Sequence, residues 1–196
     1  YAEKVINRSF EYGELAAGDE LHGWSAVGSA AYDVTVGDKE GGLNLNNTNY
    51  LVINNTKNEK SGVANKGFLE GMAIEAGEKY DFSVYARGID GFDGKVTVNL
   101  VVGSEVAATA TVNSVTDSWE KYELSMVSSL TGTSDVYLQL LIDEGKAAFD
   151  MVSLFPETYK GHGMRKDLAQ KLAELEPKFL RFPGGCIIEG WDKATA

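Results

Sequence analysis

The sequence has little cysteine, proline, histidine and positive charge. Its single cysteine, Cys186, excludes an internal disulfide and a cysteine-based zinc site. The first of its three prolines is Pro156, and no run approaches the roughly 18 apolar residues of a membrane span. It has 18 Lys and Arg residues against 29 Asp and Glu residues, which gives a net charge of −11. This acidity argues against nucleic acid and membranes as partners, because phosphates attract basic residues, whereas neutral ligands such as sugars are not penalised.

Alternation of apolar and polar residues dominates the chain from Tyr32 to Leu154 and is typical of strands with one buried face. The clearest runs are residues 32–36, 80–84, 96–102, 106–112 and 136–142. Glycine-rich turns separate them, and no helical pattern intervenes. The pattern predicts an antiparallel β-sandwich of roughly eight to ten strands. A jelly roll is favoured over an immunoglobulin-like sandwich, whose Cys-Trp-Cys pattern is missing.

The pattern changes after Phe155. Apolar residues then recur at spacings of four, four and three, which predicts one face of a helix over residues 164–176: Met164, Leu168, Leu172 and Leu175. Residues 179–182 form a short apolar run, and this predicted strand breaks at a Pro-Gly-Gly turn. Such a helix-to-strand step is typical of an α/β fold, so a second architecture begins here.

Four segments resemble α-L-arabinofuranosidases of glycoside hydrolase family 51, in the branch that carries a β-sandwich near the start of its catalytic barrel. These segments are residues 1–11, 152–156, 163–169 and 178–190. The middle of the chain is similar to carbohydrate-binding modules of the family 4/9 type. That similarity rests on Gly23-Trp24, residues 67–71 and 77–87, Trp119 and residues 150–152.

The resemblance implies a mainly β chain: a galactose-binding-like jelly roll followed by the first helix and strand of a (β/α)8 barrel. Residues 1–10 would be a barrel edge or the first strand, residues 11–155 the sandwich, and residues 156–196 the start of the barrel. Retaining glycosidases need two carboxylates about 5 Å apart. In this family they come from later barrel strands. We therefore expect a fragment without catalytic residues or a catalytic cofactor, inactive alone, whose partner is the remainder of its own barrel.

The parent enzyme would be secreted or periplasmic, although the chain carries no signal peptide, and would act on plant cell-wall polysaccharides such as arabinan and arabinoxylan. The alternative is a structural insert that braces the barrel and binds no sugar. The resemblance also places one loop at the floor of the arabinose subsite: Arg181, Pro183, Gly184, Gly185 and Cys186. Its glycines allow close backbone approach to a ligand. An ordinary strand-to-loop turn with a core cysteine is the other interpretation.

Two further groups of residues are candidates for binding. Sugar rings stack on aromatic side chains, and the candidates are Trp24, Tyr50, Tyr85 and Trp119. The two tryptophans are also framework residues in the modules that the chain resembles. Glu11 and Asp150 would meet if the first and last strands are neighbours, and the resemblance implies a structural Ca²⁺ there. Two hydrogen-bonded carboxylates that cap turns are the alternative.

Overall fold

The computed structural model describes residues 2–14, 19–69, 71–158, 161 and 163–179. These residues form two five-stranded antiparallel sheets packed face to face, which confirms the predicted sandwich. The first sheet has the order β1-β4-β9-β6-β7 and the second the order β2-β3-β10-β5-β8. The strands are, in chain order, Trp24–Val27, Ala31–Thr35, Tyr50–Asn55, Ser61–Asn65, Lys79–Ile89, Val96–Val102, Glu105–Val112, Glu120–Val127, Val136–Ile142 and Gly145–Pro156.

The core lies between the sheets because alternate residues of each strand point inward. On β5, Tyr80, Phe82 and Val84 are at most 2% exposed, whereas the residues between them are exposed or half-buried. On the first sheet Leu138 and Leu140 of β9 are fully buried opposite them. The period-two pattern in the sequence therefore reports this inward face directly.

The side of the second sheet that faces away from the core is called the outer face here. On β5 it carries Ser83, Tyr85 and Arg87. The antiparallel register places Tyr85 beside Asp150 of β10 and Lys121 of β8. Side chains directly opposite on adjacent strands lie about 4.5–5.5 Å apart at Cβ, so these neighbours share one surface.

The N-terminal segment runs along the last strand. The amide of Lys4 donates to the carbonyl of Leu154 at 3.0 Å, and that of Val152 to the carbonyl of Arg8 at 2.9 Å. The buried carboxylate of Glu3 accepts hydrogen bonds from the backbone amide of Leu154 and from the hydroxyl of Ser153. A short 3₁₀ helix, Glu11–Glu14, follows. Residues 2–10 are thus fixed to β10.

The C-terminal helix α1 spans Lys166–Glu174, two residues shorter at each end than predicted. Its buried residue is Ala169, which is 5% exposed, and its first residue, Lys166, donates to the carboxylate of Glu157 at 2.8 Å. The predicted apolar stripe is not covered by any described residue: Met164, Leu168, Leu172 and Leu175 are 46–74% exposed. The predicted strand at 179–182 and the loop from Arg181 to Cys186 lie outside the described residues. Within the described ranges, no helix is long and apolar enough to cross a membrane.

Candidate functional site

Trp24 lies in the core, which contradicts its prediction as a sugar-stacking residue. Its side chain is 7% exposed, its ring centroid is 5.5 Å from that of Phe10, and its indole Nε1 donates to the carbonyl of Asn7 at 3.1 Å. Gly23 before it has a φ of 81°, and a Cβ there would lie 2.3 Å from a methyl carbon of Ile6. Trp24 therefore fastens the N-terminal segment to the sandwich and has no face available for a sugar.

The other three aromatic candidates share the outer face of the second sheet. Tyr85 is half-buried in the middle of β5. Tyr50 begins β3 and is 5% exposed, and burial, followed by its hydrogen bond to Asp38, raises the pKa of its hydroxyl. Trp119 precedes β8 and is half-buried. The structure thus brings together residues that are separated by up to about 70 positions in sequence.

Arg87, which the sequence did not single out, organises this surface. Its guanidinium carbon lies 5.3 Å from the ring centroid of Tyr50 and 5.2 Å from that of Trp119, within the range of cation–π attraction. The two rings meet edge to face at 5.6 Å. Arg87 also donates to the carbonyl of Gly41 at 3.2 Å, which is shared with the indole of Trp119 at 2.9 Å. We call Arg87, Tyr50 and Trp119 the arginine cluster.

The loop between β2 and β3 closes over the arginine cluster. Asp38 accepts hydrogen bonds from the amide of Gly41 at 2.8 Å and from the hydroxyl of Tyr50 at 2.8 Å. The Gly41 amide is the main cause of the lowered pKa of Asp38, followed by the Tyr50 hydroxyl. A Cβ at Gly42 would lie 2.7 Å from the Asp38 carbonyl, so this turn admits no larger residue. The middle of the outer face is therefore occupied by the protein itself.

An open cleft of about 590 Å³ lies beyond this covered region on the same face. We call it the Ser83 cleft, and its lining residues are Arg8, Asp81, Phe82, Ser83, Glu123, Leu124, Ser125, Ser153 and Phe155. Tyr85 is the next outward residue after Ser83 along β5. Hydroxyls, carboxylates and one guanidinium therefore surround a cleft next to a partly exposed aromatic ring, and these groups can exchange hydrogen bonds with a polyhydroxylated ligand.

The structure also brings the carboxylate of Glu11 close enough to Asp150 to influence its ionisation. Asp150 is fully buried at a β-bulge, and Met151 after it has a φ of 52°. The Met151 amide donates to Asp150 Oδ1 at 2.6 Å, but Asp150 Oδ2 has no hydrogen-bond partner in the described part of the chain. Burial is the main cause that raises the pKa of Asp150 to about 7. Glu11 adds to the rise, while the Met151 hydrogen bond and the charge of Arg8 oppose it.

These features fit a bound cation in charge and in donor type. A buried carboxylate with an unpaired oxygen next to a second carboxylate is a place where positive charge would be stabilised. Among the residues that the structure describes, no group of three or more His, Cys, Asp or Glu could hold a metal. A Ca²⁺ ion between Glu11 and Asp150 would therefore need neutral oxygens as its other ligands. Asn49 does not supply such an oxygen in this arrangement, because its amide nitrogen donates to Glu11 Oε2 and its Oδ1 accepts the amide of Gly37 at 2.7 Å.

The jelly roll and its outer face define a module of the carbohydrate-binding type. Residues 2–145 match the model of the carbohydrate binding domain family 4/9, and the chain belongs to that family. The chain is 40% identical over 193 residues to an extracellular exo-α-L-arabinofuranosidase of Streptomyces chartreusis. That match covers 96% of this chain and 22% of the relative. It is 32% identical over 199 residues to α-L-arabinofuranosidase 2 of Arabidopsis thaliana, which covers 97% of this chain and 29% of the relative.

A solved structure agrees with these sequence matches. An arabinose-bound GH51 α-L-arabinofuranosidase superimposes with a TM-score of 0.81 at 27% identity, over 99% of this chain and 33% of that one. The resemblance to family 51 arabinofuranosidases with an inserted carbohydrate-binding-type module is confirmed. The chain spans between about a fifth and a third of the length of these proteins.

Proposed function

We propose that this chain is the sandwich module of an α-L-arabinofuranosidase that acts outside the cell on arabinan or arabinoxylan. The observation that carries the proposal is the match across 96% of the chain to an extracellular exo-α-L-arabinofuranosidase at 40% identity. Because the resemblance places the two catalytic glutamates on later barrel strands, we expect these 196 residues alone to hydrolyse no arabinofuranoside. Turnover of an aryl arabinofuranoside by the purified chain would contradict this expectation.

The module itself is proposed to hold a neutral polysaccharide in the Ser83 cleft. Tyr85 would supply a ring against which a sugar packs, and Glu123, Ser125 and Arg8 would exchange hydrogen bonds with sugar hydroxyls. The net charge of −11 disfavours anionic polymers and leaves neutral ones unaffected. The cleft is a part of the outer face that the β2–β3 loop leaves open, which supports this location over the arginine cluster.

Replacing Tyr85 by Ala is expected to weaken retention of the chain in affinity gels that contain arabinan, arabinoxylan or xylan. Loss of one stacking ring should weaken binding by about tenfold, because aromatic contacts contribute about 0.5–1.5 kcal/mol beyond their buried area. The matched control is Tyr137→Ala, since Tyr137 is half-buried on β9 of the other sheet, beside Val101. Equal retention of the Tyr85 variant and the wild-type chain would contradict a binding role for this cleft.

A bracing role is the second candidate, and the arginine cluster favours it. Arg87 Nη2 and the indole of Trp119 direct hydrogen bonds to the carbonyl of Gly41, so both of these donors are used within the protein. A module that only braces the barrel would show no retention by any of the three polysaccharides. Deleting it from the parent enzyme would lower stability without changing substrate preference.

We also propose that Glu11 and Asp150 hold a structural Ca²⁺. The unpaired Asp150 Oδ2 and the raised pKa of this carboxyl support a cation there. Millimolar CaCl₂ should then raise the melting temperature of chelator-treated protein by several degrees, because a ligand that binds only the folded state stabilises it. Glu11→Gln should remove most of this shift. An identical shift in that variant, or none in the wild-type chain, would rule the site out.

A further inference from the structure

A second cleft lies at the other end of the outer face, beyond the arginine cluster. It has a volume of about 550 Å³, within the range of about 300–1,000 Å³ that is usual for ligand clefts. We call it the Phe92 cleft. Its lining residues are Asn54, Asn55, Thr56, Ile89, Asp90, Gly91, Phe92, Asp93, Gly94, Glu144, Gly145 and Lys146.

The sheet register builds the base of this cleft. Lys146 of β10 lies opposite Asn54 of β3 on one side and Ile89 of β5 on the other, so three adjacent strands present these side chains in one row. The loops that follow β5 and precede β10 then add Asp93 and Glu144 above the row. Residues from three separate parts of the sequence therefore converge on one concave surface.

Most polar side chains of the Phe92 cleft are not used to hold the fold; the exception is Asn55, which is buried and donates to the carbonyls of Glu59 and Ile142. Asn54, Thr56, Asp93 and Glu144 are exposed, and none makes a side-chain hydrogen bond or ion pair within the described part of the chain. Among the residues that the structure describes, Lys146 makes one long ion pair, 3.8 Å, to Asp90.

Other turns of the same protein differ in this respect. In the loop after β2, Asn44 accepts the amide of Asn46 at 2.8 Å and Asn49 accepts that of Gly37 at 2.7 Å. Polar side chains of this type usually form hydrogen bonds within turns. The exposed side chains around the Phe92 cleft do not, so they remain available to a ligand.

The floor of the cleft is closely packed. Phe92 is 9% exposed and packs against Gly145 and Gly94 so closely that a Cβ on either would lie 2.3 Å or 2.6 Å from its ring. The Gly88 amide also bonds to the carbonyl of Thr116 at 2.6 Å, which fixes the end of β5 beneath it. A cleft on a fixed floor requires little ordering when a ligand binds, which favours affinity.

We propose that the Phe92 cleft is a second glycan-binding site, selective for neutral oligosaccharides. Besides the buried amide of Asn55, one exposed amide, one hydroxyl, three carboxylates and one ammonium supply donors and acceptors in the mixture that sugar hydroxyls satisfy. Three carboxylates against one ammonium repel uronic acids and other anions. The ligand class is taken from the proposed function, whereas the site is separate from the Ser83 cleft. Two clefts on one face, separated by the arginine cluster, would let one module hold two glycan segments, with the gain in avidity that linked sites give.

The test is an amide chemical-shift titration of the ¹⁵N-labelled chain with xylohexaose and with a linear arabino-oligosaccharide of similar length. Amides of residues 90–94 and 144–146 should shift as one set that saturates with a single dissociation constant. The double variant Asn54→Ala/Asp93→Ala should weaken that constant at least about tenfold, because two ligand hydrogen bonds are lost. The matched control is Asn113→Ala/Glu105→Ala, which removes the same two kinds of exposed side chain from the neighbourhood of the first sheet.

The outcomes separate this proposal from the proposed function. Shifts at residues 90–94 and 144–146 that survive Tyr85→Ala but not the double variant support the second site, whether or not the Ser83 cleft binds. Shifts confined to residues near Ser83 overturn the second site and leave the first in place. Absence of shifts at residues 90–94 with either sugar, or an equal response to trigalacturonate, overturns the proposal.

Discussion

The Asp150→Asn variant should be more stable than the wild-type chain at pH 8 in the presence of a chelator, with most of this gain lost near pH 4. Asp150 is fully buried, and its pKa is raised from 3.8 to about 7 in the folded state. Between these two pKa values the folded chain holds a proton on Asp150 that the unfolded chain releases. The contribution of this carboxyl to the free energy of unfolding is therefore highest below about pH 4 and falls as pH rises towards 7. The side chain of Asn stays neutral throughout and keeps an oxygen for the Met151 amide.

The expected size of this effect is about 2–4 kcal/mol between pH 4 and pH 8, because each unit of pKa shift is worth about 1.4 kcal/mol. Urea unfolding of both proteins across that range measures it. Asp33→Asn is the matched control, since Asp33 accepts the amide of the next residue at 2.8 Å in the same way but is exposed. Parallel stability curves for Asp150→Asn and the wild-type chain would contradict the buried-acid interpretation.

The same variant tests for calcium binding, because Ca²⁺ would favour the wild-type chain over Asp150→Asn. If Asp150 ligates Ca²⁺, addition of the ion at pH 8 should stabilise the wild-type chain and leave Asp150→Asn unchanged. The difference in the free energy of unfolding between the two proteins then narrows or changes sign. Without calcium binding, the variant stays the more stable of the two at any Ca²⁺ concentration. One pair of proteins thus separates a cation site from a buried acid that has no ligand.

Trp24→Ala is expected to destabilise the chain by about 3–5 kcal/mol, the usual cost of truncating a large buried aromatic residue. The loss includes the contact with Phe10 and leaves the carbonyl of Asn7 without its indole donor. Trp24→Phe keeps most of the packing and loses the hydrogen bond, so its cost should be about 1–2 kcal/mol. Equilibrium unfolding in urea gives both values.

Polysaccharide retention provides the second readout for Trp24. Any Trp24→Ala protein that is folded at low temperature should bind as the wild-type chain does, since the ring has no face towards solvent. Trp119→Ala is the comparison, because Trp119 is only half-buried and should lose less stability. A Trp24→Ala protein of normal stability that failed to bind would restore Trp24 as a sugar-binding residue.

The strands could be predicted from the sequence because burial of one face imposes a period of two on apolar residues. The runs at residues 96–102 and 136–142 coincide with β6 and β9, whose inward residues are almost fully buried. The bulge at Asp150 could not be predicted, since it depends on a shift of register between β10 and β5. The length of α1 was overestimated because the apolar spacing continues beyond its ends.

The candidate site was predicted only in part, for reasons of distance along the chain. The outward direction of Arg87 follows from its position two residues after Tyr85 on an alternating strand. Its partners could not be deduced, because Gly41 and Tyr50 are 46 and 37 positions away. The sequence allowed Trp24 to be either a sugar-binding residue or a framework residue of the core. The packing of Phe10 against its ring shows that it belongs to the core.

The pairing of the N-terminal segment with β10 has a consequence for how this module can be transplanted. The amide of Ala2 donates to the carbonyl of Gly163 at 3.2 Å, so the points where the chain enters and leaves the sandwich are neighbours. A loop in a host protein could receive residues 2–163 by opening only a few ångströms, which adds little loop-closure entropy to the host. Such a graft would allow polysaccharide binding by the module to be measured in an unrelated, stable host protein.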